Sequence, residues 1–160
     1  MLYGVLAVFA ALIVVADQVT KFLTVANIPL GSAVPVIPWL FQLTYVQNTG
    51  MAFSMLEGAR WFFLIMTAVA FVFMGVALKK KWITHPTGLW ALAMIAGGAV
   101  GNLIDRIRLG YVIDMIEVTF MEFAVFNVAD SFVVCGAILL VIYAFFFDKP
   151  REGKPHDSDR

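Results

Sequence analysis

Cysteine is nearly missing from these 160 residues: Cys135 is the only one, and it lies inside an apolar run. A disulfide framework and a thiolate metal cluster are therefore excluded, and Cys135 is expected to be a small buried hydrophobe. Histidine is scarce as well. His85 and His156 lie far apart beside proline and charged residues, so neither is read as a ligand and no metal mechanism is expected. Charged residues make up only 14% of the chain and balance to a net charge of zero, which leaves no basic groove for a nucleic acid partner. Apolar residues fill the space instead. They account for 62% of the sequence, with fifteen Phe and eight Met, against about 45–50% in soluble domains. A mean hydropathy of +0.91 makes this a membrane protein.

The hydrocarbon core of a bilayer, about 30 Å thick, takes roughly 17–25 apolar helical residues. Four stretches qualify: Leu2 to about Val25, Trp61 to Leu78, Gly88 to Ile104 and Ser131 to Phe147. The first has no early Lys or Arg and reads as a retained span rather than a cleaved signal. It alone is interrupted, by Asp17 and Lys21, an i,i+4 pair able to neutralise each other near the membrane boundary. Basic loops stay cytoplasmic. Lys79, Lys80 and Lys81 fall on the same side as Lys149, Arg151, Lys154 and Arg160 if four spans alternate, so both chain ends are expected in the cytoplasm. Residues 1–148 then form one membrane domain, followed by a polar tail at 149–160 that is expected to be disordered.

Two connections on the opposite side, about 28–58 and 108–130, are too long and too patterned for simple loops. The first carries three prolines and then "WLFQLTYVQNTGMAF", whose β-branched and aromatic residues around Asn48-Thr49-Gly50 suggest short strands and a turn. The second, "YVIDMIEVTFMEFAVFN", mixes apolar and acidic residues without a helical stripe. The expected fold is an all-α integral membrane protein, four transmembrane helices with a small extracytoplasmic β-rich platform.

Charge inside such a chain requires a partner or a function. Gly97 and Gly101 have the small-xxx-small spacing that lets helices pack closely. Asn102, Asp105 and Arg106 follow at i, i+3 and i+4 on one face. Asp105 and Arg106 alone could be a structural ion pair; with Asn102 they favour an inward polar network. Asp130, just before the fourth span, reads by itself as an N-cap, and Asp114 as a solvent-facing strand residue. Together the two read differently. The third span ends just before Asp114 and the fourth begins just after Asp130, so the two carboxylates can meet. Like charges at close range share one proton, which places an acid and a base in one site. Such a pair can activate water for attack on an amide carbonyl. The helix dipole favours the anion at Asp130, leaving the proton on Asp114. A transporter or proton channel competes on spacing alone, although acids through the depth of all spans would be expected of it. A small scaffold is a third reading, carried only by the glycine motif.

"GGAVGNLIDRIRLGYVIDMI" with "FNVADS", "ADQVTK" in the first span and "QNTGMAF" in the first long connection resemble the signature of the lipoprotein signal peptidases, also called signal peptidase II. The resemblance covers the chain from the first span to the fourth. It implies an aspartic endopeptidase of the bacterial inner membrane that removes the signal peptide from a lipid-modified prolipoprotein, just before the diacylglyceryl-cysteine, without metal or organic cofactor. By position, Asp114 and Asp130 would be the catalytic dyad. Asn48 and Arg106 would hold the substrate backbone, Asn102, Asp105 and Asn127 would shape the site, and Asp17 and Lys21 would support it from the first span. Prolipoproteins and membrane lipid are the partners implied; the oligomeric state is open, with a monomer expected.

Overall fold

The computed structural model describes residues 1–50 and 58–147; the expected polar tail and part of the first long connection lie outside the described residues. Among the described residues four helices are long and apolar enough to cross a membrane: α1 (Leu2–Asn27), α2 (Arg60–Lys79), α3 (Pro86–Arg108) and α4 (Val128–Phe146). Each falls within a few residues of its expected span, because an uncharged run of this length has no other way to satisfy its backbone in lipid. The helix starts have local causes. Pro86 occupies the first turn of α3, where its missing N–H is no loss, and the His85 side chain accepts from Thr87 N–H. His85 also stacks on Phe147 at 4.6 Å between ring centroids. It is thus a capping and packing residue.

Helix α3 is the hub, packing extensively against α4 and α1 and less against α2. Glycine permits this. A side chain at Gly97 would meet Ala10 and Ile13 of α1, and one at Gly98 would meet the Ala129 carbonyl of α4. Gly101 stands where a methyl group would press on both the Asp17 carboxylate and Ala129. The small-residue spacing therefore does more than was expected of it, since the three glycines bring α3 close to two helices at once. Helix α2 lies at the periphery, burying only Phe63 and Ala77 along its length. Large apolar side chains such as Ile65, Phe73, Ile138 and Phe145 face outward from the bundle. In water they would be an aggregation surface; in a bilayer they meet acyl chains.

Among the described residues three strands cover one end of the bundle: β1 (Ala33–Ile37), β2 (Phe41–Asn48) and β3 (Val112–Val118), antiparallel in the order β1-β2-β3. The two long connections thus build a single sheet, as expected. The expected turn begins where β2 ends, with Gly50 N–H donating to Asn48 Oδ1 at 2.9 Å, and a second turn, not expected, joins β1 to β2. The chain reverses between β1 and β2 around Pro38, whereas Asn48 ends β2 and the segment after Gly50 lies outside the described residues. Pro35 sits in β1, an edge strand, where no ladder hydrogen bond is lost on its open side. One face of the sheet packs Ile113 and Met115 of β3 against Ile28 and Tyr45. Residues alternate across a strand, so Val112 and Asp114 turn toward the bundle.

Candidate active site

Asp114 and Asp130 line the same cleft of about 690 Å³, together with Asn48, Asn102, Arg106 and a largely apolar wall from α2, α3 and α4. They reach it by different routes. Asp114 points inward from β3 and is 2% exposed, so the solvent-facing strand reading is wrong: both faces of β3 are covered. Asp130 lies in the first turn of α4, but it is not the N-cap. That position belongs to Asn127, whose Oδ1 accepts from Asp130 N–H at 2.8 Å while Asp130 Oδ2 accepts from Asn127 N–H at 3.2 Å. The reciprocal pair is a capping box with Asp in place of the usual Glu.

Asn127 also joins the two acids. Its Nδ2 donates to Asp114 Oδ1 at 2.7 Å and to Asn102 Oδ1 at 3.1 Å. Asn102 Nδ2 in turn donates to Asp130 Oδ1 at 2.7 Å, and Asn48 Nδ2 donates to Asp114 Oδ2 at 2.8 Å. Each of the four carboxylate oxygens thus accepts one N–H, leaving further lone pairs for a proton or a water. Burial pushes the Asp114 carboxyl up to about 6, and the nearby Asp130 charge pushes the same way, against the donors of Asn48 and Asn127 and the more distant Lys21 charge.

Behind the acids lies a charged cluster that the sequence reading anticipated only in part. Lys21, 2% exposed, has three partners for its three N–H groups: Asp17 and Asp105 at 2.8 Å each and Asn102 Oδ1 at 3.0 Å. The ion pair Asp17–Lys21 is therefore present, extended by Asp105 from α3. Asp105 does not pair with its neighbour Arg106. Its Oδ2 instead also accepts from Ile113 N–H at 3.2 Å, next to Asp114 in β3. Asp17, fully buried, accepts from Ala129 N–H of α4 at 3.0 Å. One cluster thereby fixes α1, α3, the start of α4 and β3 to one another.

Arg106 lies apart from this cluster. Its guanidinium sits over the Phe63 ring at 4.6 Å and its Nη2 donates to the Gly50 carbonyl at 3.5 Å, a long contact. The sequence reading missed Phe63, and it missed Gln18, whose Nε2 reaches Asp105 Oδ1 at 2.9 Å and Asp17 Oδ2 and the Gly101 carbonyl at 3.2 Å each. Gln18 had a signal, since it adjoins Asp17 and lies on the same side as Lys21; Phe63 had none in an apolar run. Cys135 corrects an expectation. It is exposed and lines the wall of the cleft, because in a membrane bundle an apolar residue is as stable facing outward as buried.

Among the described residues, four spanning helices, a sheet over one end and a cleft lined by buried Asp114, half-buried Asp130, Asn48 and Asn102, with buried Asn127 hydrogen-bonded to both acids, describe a polytopic membrane protein with its site at one end of the bundle. The family model described as signal peptidase (SPase) II matches residues 9–146, and the chain belongs to that family. A lipoprotein signal peptidase of Streptococcus pyogenes serotype M2 (strain MGAS10270) is 49% identical over 135 residues, covering 82% of this chain and 86% of the relative. Another, from serotype M5 (strain Manfredo), is 48% identical with the same coverage. Two solved structures of a bacterial membrane enzyme superpose with TM-scores of 0.85 and 0.82 at 31% and 32% identity. The first covers 94% of this chain and 95% of its own; the second covers 91% and 95%.

Proposed function

We infer that this protein is an aspartic endopeptidase that removes the signal peptide from diacylglyceryl-modified prolipoproteins, cutting just before the lipidated cysteine. The observation that carries this reading is the joining of Asp114 and Asp130 through Asn127 in one cleft. Family membership and relatives named lipoprotein signal peptidase support the substrate class.

The chemistry follows from one proton held on two acids. Asp130, anchored at a helix start where the dipole favours its anion, takes a proton from a water as the hydroxide adds to the scissile carbonyl carbon. Asp114 gives its proton to the carbonyl oxygen, so the tetrahedral intermediate is a neutral diol. When the C–N bond breaks, Asp130 returns its proton to the departing amine and Asp114 recovers one from a diol hydroxyl. Protons balance and no covalent enzyme intermediate forms.

Other groups take supporting roles. Asn48 and Arg106 hold the substrate backbone, Asn102 and Asn127 orient the acids, and Asp105 ties Lys21 to β3. Asp17 and Lys21 brace the network from α1. The apolar wall of the cleft gives the lipid-bearing end of the substrate a place beside the dyad, at the depth where the sheet meets the bundle. We place the enzyme in the bacterial inner membrane with both ends cytoplasmic and the sheet on the extracytoplasmic side, following the basic Lys79–Lys81 turn. The residues assigned to the site lie on one chain, and we read the enzyme as a monomer.

The test uses the purified protein with a lipid-modified prolipoprotein. Asp114→Asn and Asp130→Asn should each abolish cleavage with the fold retained. Cleavage at the wild-type rate by both would refute the dyad, and transport activity without cleavage would favour a carrier.

A further inference from the structure

We propose that Phe63 is a positioning residue that holds Arg106 by its ring face, so that the in-plane donors of the guanidinium stay free for the substrate. The inference rests on the reading of Arg106 as a substrate-holding group. Among the described residues Arg106 forms no ion pair, although Asp114 and Asp130 line the same cleft. Among those residues the guanidinium meets the Phe63 ring at 4.6 Å and makes one long hydrogen bond to Gly50.

A guanidinium has five N–H donors, all in its plane. A carboxylate partner would occupy two of them and cancel the charge. An aromatic face attracts the cation through its quadrupole from above the plane and uses none. Four donors therefore remain after the Gly50 contact, in a fork suited to the carbonyls of an extended peptide. Phe63 is placed for this. It is buried, in a helix that otherwise buries only Ala77, and it lies one turn into α2 on the cleft wall. The most peripheral helix thus contributes an aromatic ring to the site, beside Thr67 on the same wall.

The experiment is a double-mutant cycle on cleavage of a diacylglyceryl-modified prolipoprotein, using Phe63→Leu, Arg106→Gln and the two combined, with thermal midpoints as a check on folding. Phe63→Met replaces Phe63→Leu if the latter does not fold. Phe63→Leu should lower kcat/KM by about 2- to 30-fold, with the same division between KM and kcat as Arg106→Gln. In the Arg106→Gln background it should change kcat/KM by less than about 2-fold. Additive losses in the double variant would make Phe63 a packing residue and overturn the proposal. So would an unchanged Phe63→Leu enzyme beside an impaired Arg106→Gln. Wild-type cleavage by Arg106→Gln would instead remove the substrate-holding reading itself, and this inference with it.

Discussion

Asn127 is the residue on which the candidate site turns, because it meets both acids with different atoms. Its backbone N–H and Oδ1 bind Asp130, and its Nδ2 binds Asp114. A serine keeps the cap but loses the amide donors. Asn127→Ser should therefore cost only about 1 kcal/mol of stability while lowering kcat about 10-fold or more, which steady-state assays and thermal unfolding in detergent would separate. Asp114 carries the pH dependence. Its carboxyl rises from an ordinary 3.8 to about 6 because burial disfavours the anion. The native state binds this proton more tightly than the unfolded chain, so its stabilising effect is complete below about pH 4 and is lost as pH rises through about 6. If that proton is the acid of the reaction, kcat/KM should fall over the same interval as pH rises. The protonated-carboxyl infrared band should disappear with it and be missing from Asp114→Asn.

Helix α3 and strand β3 owe their positions to groups that bury charge among three helices. Lys21 neutralises Asp17 and Asp105 at once, and removing one member of a buried ion cluster leaves uncompensated charge. Lys21→Met should destabilise the protein by about 3–5 kcal/mol, measured by denaturation in detergent. The glycines of α3 are the apolar counterpart. A methyl group at Gly98 would press on the Ala129 carbonyl, at the first turn that carries Asp130. Gly98→Ala should cost about 1–3 kcal/mol and lower activity with it. A methyl at Gly75 meets nothing, so Gly75→Ala should leave both unchanged or add slightly to stability, since alanine is the better helix former.

Among the described residues the molecule is an apolar bundle with its buried polar groups gathered at one end, and this division explains what could be read in advance. The existence of four spans, the sheet from the two long connections and the Asp17–Lys21 pair were legible in the sequence. They depend on hydropathy, β-branched composition and i,i+4 spacing, all of which are local. The resemblance pointed to the same acids, Asp114 and Asp130, that spacing had brought near each other. Other features were decided only by tertiary structure. Asp105 turned to Lys21 rather than to adjacent Arg106, because a lysine from another helix was buried beside it with no water to compete. Asn127 displaced Asp130 as the cap, since helix starts depend on a backbone turn that composition does not specify. Phe63 looked like any other lipid-facing ring until the fold set a guanidinium over it. Hydrophobic length determines which segments cross a membrane because each segment faces lipid by itself; which polar atoms meet inside depends on every helix being in place, since a buried charge selects its partner from the groups that packing brings within 3 Å or so.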